Sequence, residues 1–144
     1  MSENSENIKI MERWFKEVWD EGRESTIDEL LATECRVGGL GGADMTTAEE
    51  FKAFYRNMNQ GLRGIKIHVD KMISSGDLVF SLFTVKCTHS LTGKCVDIRG
   101  GAYARIVDGQ IVEADNVLDF VPMMAELGRI PADAVVRSLS GTGF

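Results

Sequence analysis

Apolar residues recur at helical spacing over the first third of the chain and alternate with polar ones over most of the rest, which predicts helices first and strands afterwards. From Ile8, the series Ile8, Met11, Phe15, Val18 and Trp19, with Trp14 beside them, reads as an amphipathic helix closed by Gly22. Thr26-Ile27-Asp28-Glu29 has capping-box form, and Ile27, Leu30 and Leu31 give a short second helix one face to bury. Cys35 to Val37 is expected as a brief strand. A second capping box, Thr47-Ala48-Glu49-Glu50, opens a third helix, with Phe51, Phe54, Tyr55 and Met58 on one side and Gly61 and Gly64 at its end.

Beyond it, Ile65, Ile67 and Val69 alternate with Lys66, His68 and Asp70, a half-buried strand reaching about Ile73. Ser75-Gly76-Asp77 turns the chain into a long strand from Leu78 to Thr88, and Leu91-Thr92-Gly93-Lys94 turns it back into a strand from Cys95 to Arg105. Asp108-Gly109 marks a further hairpin, read as a three-residue loop with Gly109 left-handed. That loop pairs Ile106 with Gln110, Ala104 with Val112, Ala102 with Ala114 and Gly100 with Asn116. With Thr92 and Gly93 as the other turn centre, Cys87 pairs with Ile98, Val85 with Gly100 and Phe83 with Ala102.

Both hairpins lead to the same face: Phe83, Val85, Cys87, Ile98, Gly100, Ala102, Ala104, Val112, Ala114, Asn116 and Leu118. The small residues on it suggest a concave apolar floor on which Asn116 is the one strongly polar group; close helix packing is the alternative use of the same space. The opposite face carries Asp97, Arg99, Tyr103, Arg105, Glu113 and Asp115. After Asp119, a cap, residues 120–127 form a short helix that has Pro122 in its first turn and stops at Gly128. Residues 1–7 and 137–144 are expected as flexible tails of a single α+β domain.

Charge then narrows the partners. A net charge of −6 and a pI near 4.9 argue against nucleic acid, which demands a basic surface. No apolar run approaches the ~20 residues of a membrane span, and the polar start MSENSEN does not resemble a signal peptide, so a cytoplasmic location is expected. Cys35, Cys87 and Cys95 have no zinc or redox spacing and fit a reducing compartment. The glycine-rich GGLGGAD, residues 38–44, is read as a loop with unusual backbone angles; it lacks the Gly-Lys-Ser/Thr of a phosphate loop. No nucleophile triad, metal cluster or dinucleotide fingerprint is present, so neither metal nor cofactor is expected.

The stretches WFKEVWDEGRESTIDELLA (14–32), the Gly-Asp turn with its long strand ending Thr88-His89, and RIVDGQIVEADNVLDF with ELGRIP (105–131) resemble the SnoaL-like branch of the nuclear-transport-factor-2-like superfamily. The resemblance implies a cone-shaped fold, a curved antiparallel sheet wrapped on N-terminal helices with a short C-terminal helix. It also implies an apolar pocket and, in some members, cofactor-free polyketide cyclisation of the aldol type. The carboxylate of those cyclases falls on Asn116, and the Trp of a frequent Trp-Asn variant on Asp115. The family's His falls near Gly38. Ketosteroid-isomerase positions fall on Phe15, Gly38 or Gly39, and Ala102, and epoxide-hydrolase positions near Phe83 and Val85, which argues against both chemistries.

The expected site therefore has Asn116 and His89 as polar groups acting on a ligand oxygen, within a pocket of Phe15, Tyr55, Phe83, Val85, Ile98, Ala102, Ala114 and Leu118. For Asn116 the facing backbone is the alternative partner, for His89 a solvated strand end, and for Tyr55 a place in the core. Three readings remain open: a pocket for a hydrophobic small molecule, open to cyclase, isomerase or lyase chemistry, a non-catalytic ligand-binding or assembly subunit, or a purely structural domain with a filled cone. A homodimer is expected through the outer sheet face, Arg99, Tyr103, Arg105, Glu113 and Asp115, with diagonal pairs such as Arg105–Glu113 and Arg99–Asp115.

Overall fold

The structure, a computed structural model, describes residues 3–141. Helix α1 spans Glu3–Arg13 and widens into a π-helical segment, Trp14–Asp20, where a regular helix was expected. Bonding from i to i+5 places residues five apart on one side, so Trp14 and Trp19 both reach Phe51, at ring separations of 5.3 and 6.4 Å. Helix α2 (Ser25–Leu30) forms without the predicted capping box. Thr26 lies buried inside it and donates its hydroxyl hydrogen to Glu17 Oε1 at 2.9 Å. At α3 (Ala48–Gly61) the predicted cap does form: Thr47 Oγ1 accepts from the Glu50 amide at 3.1 Å, and Glu50 Oε1 accepts from the Thr46 amide at 3.1 Å.

The strands are β1 (Leu31–Gly38), β2 (Met45–Thr47), β3 (Leu62–Ser75), β4 (Leu78–His89), β5 (Cys95–Val107) and β6 (Gln110–Asp119). They form one sheet in the order β2-β1-β6-β5-β4-β3. Neighbours are antiparallel except β1 and β6, which run parallel and bring the glycine loop after β1 beside the end of β6. Helices α4 (Val121–Glu126) and α5 (Ala134–Leu139) follow. The N-cap of α4 is Phe120, not the expected Asp119; from one residue earlier, Asp119 Oδ1 accepts from the Val121 amide at 3.1 Å.

Both hairpins differ in register from the sequence reading. His89 N–H donates to Lys94 O and Gly93 N–H to His89 O, both at 2.8 Å, so residues 90–93 form the loop and pairing begins at Thr88 with Cys95. Val85 therefore faces Ile98 and Phe83 faces Gly100, two residues from the expected partners. In the other hairpin Asp108 and Gly109 both have positive φ, 51° and 79°, and make a two-residue turn that pairs Val107 with Gln110. A bulge at Val112 follows: Ile106 faces Ile111, then Arg105 faces Glu113. Ile111 thus takes the buried place expected for Val112, and Ala104 faces Ala114, Ala102 faces Asn116 and Gly100 faces Leu118. Each final displacement is two residues, which moves partners without exchanging faces.

The helices cover the inner face, and Met11, Trp14, Phe15, Val18, Phe51, Val79, Phe83 and Ile106 belong to one core. Residues 3–7, read from sequence as part of a tail, belong to α1; Asn7 is buried, with Nδ2 3.5 Å from Gly76 O. Residues 137–139 of the other expected tail belong to α5, while residues 1–2 and 142–144 lie outside the described residues. Among the described residues no helix is long and apolar enough to cross a membrane.

Candidate functional site

Between the π-helical segment, α3 and the inner sheet face lies a cavity of about 130 Å³. Trp14, Phe15 and Trp19 form one wall and Phe51, Phe54 and Met58 another. Phe83, Val85, Ile98, Ala102, Ala114 and Leu118 make the floor, while Leu40 from the glycine loop and Phe120 ahead of α4 border it. Part of the room foreseen at Gly100 is filled: a Cβ there would overlap the Leu118 side chain and stand 3.1 Å from the Phe83 ring.

Asn116 lines this cavity. Its Nδ2 donates to Gly38 O at 2.9 Å, a contact made possible by the parallel β1–β6 pair. The backbone then turns at Gly39, with φ 79°, and passes so close to Asn116 that a Cβ would overlap the Asn116 main-chain oxygen. This loop seats Leu40 against the cavity and holds the Asn116 amide by one edge.

Of the expected pocket residues, Phe15, Phe83, Val85, Ile98, Ala102, Ala114 and Leu118 line the cavity together with Asn116. Tyr55 and His89 do not. Tyr55 is buried and donates its hydroxyl hydrogen to Val18 O at 2.8 Å; burial pushes its phenol pKa upward. His89 ends β4, with Nδ1 2.9 Å from Thr92 Oγ1 inside the hairpin loop. Sequence reasoning missed further lining residues, among them Trp14, Trp19, Leu40, Phe51 and Ile111. A signal existed for Leu40, the one large apolar residue within GGLGGAD.

Among the described residues, no Asp, Glu, His, Lys, Arg or Cys lines the cavity. Tyr103 borders it, but its hydroxyl donates to Glu113 Oε2 at 2.8 Å across the sheet's outer side. Nor do the described residues contain a group of three or more His, Cys, Asp or Glu able to hold a metal ion.

The outer face separates charge from apolar surface. Arg36 Nη2 lies 2.7 Å from Glu113 Oε2 and 3.4 Å from Asp115 Oδ2, and Arg36 Nη1 lies 3.3 Å from Asp44. Arg105 binds Asp77 through both carboxylate oxygens, at 2.8 and 2.7 Å, and Glu113 at 3.2 Å. Arg36 first, then Tyr103 and Arg105, hold the Glu113 carboxyl down to about 2. Of the two pairs expected there, Arg105–Glu113 forms, but Arg99 turns to Asp70 at 3.0 Å and Asp115 to Arg36. Beside this network Ile73, Phe80, Leu82 and Val117 are exposed, at 63, 48, 37 and 80 %.

A family model described as a SnoaL-like domain matches residues 11–114. The chain belongs to the SnoaL-like domain family. Its α+β cone is shared with solved SnoaL-like and related structures. A candidate SnoaL-like polyketide cyclase from Jannaschia sp. CCS1 is 19 % identical, with a TM-score of 0.80 over 91 % of this chain and 98 % of the other. AclR, a candidate hydroxylase from Streptomyces galilaeus, is 19 % identical, with a TM-score of 0.79 over 96 % and 92 %. IdmH, a candidate polyketide cyclase from Streptomyces antibioticus, is 22 % identical, with a TM-score of 0.76 over 85 % and 98 %. At these identities the likeness concerns the SnoaL-like fold alone. No curated protein matches the sequence.

Proposed function

We propose that this SnoaL-like protein binds a small hydrophobic molecule in its cone and holds it without acid–base chemistry. The observation that carries the reading is the cavity wall itself, apolar and aromatic with Asn116 as its amide side chain and no carboxylate or imidazole from the described residues in the lining. A neutral amide orients a ligand but does not exchange protons near neutral pH. The test is titration with single-ring apolar compounds such as toluene, followed through the indole resonances of Trp14 and Trp19. Saturable shifts are expected in the wild type and their loss in Ala114→Leu, which fills the floor; a wild type that takes up none of the compounds overturns the reading.

The descriptions of two structural relatives as candidate polyketide cyclases favour a second reading, cofactor-free cyclase, isomerase or lyase chemistry in which Asn116 polarises a substrate oxygen. Conversion of a carbonyl substrate, lost in Asn116→Ala, would establish it. His89 has no part in this reading, because its imidazole is engaged with Thr92 away from the cavity lining.

A homodimer fits the outer face, through different residues from those the sequence suggested. Arg36, Arg99, Arg105, Glu113 and Asp115 are satisfied within the chain, whereas Ile73, Phe80, Leu82 and Val117 stand exposed on neighbouring strands. An exposed apolar group of this kind on a sheet suits a second copy. Three free cysteines, with Cys95 exposed, support a reducing compartment, and we place the protein in the cytoplasm.

A further inference from the structure

We propose that the molecule held in the cavity is a single-ring-sized hydroxyl compound, an alcohol, phenol or enol, whose O–H donates to Oδ1 of Asn116. The inference rests on the cavity being a binding site, and it specifies what the site accepts. A carbonyl oxygen has no hydrogen to give, so the group of Asn116 facing Gly38 O at 2.9 Å is the NH2 end of the amide. The Asn116 orientation is thereby set by chemistry. Oδ1 is left with both lone pairs, and no described residue donates to it.

An unpaired acceptor on an apolar wall selects a ligand that brings a donor. A ketone or ether has none to offer Oδ1, and a hydrocarbon leaves it unsatisfied. A hydroxyl supplies the missing hydrogen, and its oxygen can accept from the remaining N–H of Nδ2. Size limits the rest of the molecule. The cavity of about 130 Å³ is close to the ~150 Å³ apolar cavity known to take up benzene, so one six-membered ring fills it. A fused multi-ring compound exceeds this volume and would have to project beyond the cavity.

The experiment compares phenol, anisole, cyclohexanone and toluene on the full chain, reading the indole signals of Trp14 and Trp19 and the side-chain amide signals of Asn116. Phenol is expected to bind about 10-fold more tightly than anisole or toluene, the scale of one hydrogen bond to an otherwise unpaired group. It alone should shift the Asn116 amide strongly. In Asn116→Leu, close in size, the preference of phenol over toluene should vanish. Anisole or cyclohexanone binding the wild type as well as phenol overturns the donor requirement, as does a phenol preference that survives Asn116→Leu. Both results leave the cavity reading intact, because toluene still binds. Failure of all four compounds, toluene included, overturns the binding site and the proposal with it. The wild-type comparison stands alone should the variant fold poorly.

Discussion

Gly39 packs on the main chain of Asn116 so closely that even a methyl group there would overlap the Asn116 carbonyl oxygen. Its φ of 79° is also one that residues with a Cβ adopt rarely. Gly39→Ala should therefore lower stability by about 2 kcal/mol or more, combining strain with a forced shift of the loop. Ligand affinity should fall too, because the loop carries Leu40 and the Gly38 oxygen that orients Asn116. Urea denaturation and the phenol titration check this; an unchanged midpoint would mean that the loop yields freely.

Tyr55 is a support for the cavity wall rather than part of it. Its hydroxyl satisfies the Val18 carbonyl within the π-helical segment. Tyr55→Phe should cost about 1–3 kcal/mol by leaving that carbonyl unpaired. Toluene affinity should stay as in the wild type. A large loss of affinity at unchanged stability would instead assign Tyr55 to the site.

Glu113 ties β6 to β1 through Arg36 and to β5 through Tyr103 and Arg105. Its pKa is depressed from an ordinary 4.5 to about 2, so its contribution to stability is present above pH 4.5 and disappears as the pH falls through 2. Glu113→Gln should be less stable at neutral pH and should lose less stability on acidification through that window. Some acid sensitivity should persist, since Glu17, held to about 2 by Arg13 and then Thr26, titrates over the same range. Urea midpoints measured against pH test both statements; parallel curves for wild type and variant would deny Glu113 this role.

Val117, 80 % exposed, stands opposite Gly101 on the outer face, in the same row as Leu82. Val117→Asp should convert a dimer to a monomer in sedimentation velocity without altering the fold, because the side chain is in solvent within one copy. A wild type that sediments as a monomer removes the interface.

Much of this protein follows from local pattern. The alternation of β4, β5 and β6 and the helical spacing of α1 and α3 are properties of adjacent residues, so these strands and helices, and the inner face apart from Ile111 in the place expected for Val112, could be read directly, though not the π-helical form of Trp14–Asp20. Asn116 was legible for the same reason, a polar residue in an apolar row. Register was not, because a two-residue slip leaves each side chain on its own face; the closing bonds of residues 90–93 and the bulge at Val112 decided it.

Parity names a face but not a height along the cone. Phe83, Val85 and Cys87 share a face with His89, yet His89 ends the strand and closes with its hairpin loop. Tyr55 sits among helical neighbours that line the cavity, yet its hydroxyl is committed to Val18. The composition of the apolar floor and the presence of Asn116 on it were thus determined by sequence alone. What Asn116 offers a ligand was decided by tertiary structure, since its partner Gly38 lies 78 residues away and meets it only across the parallel β1–β6 pair.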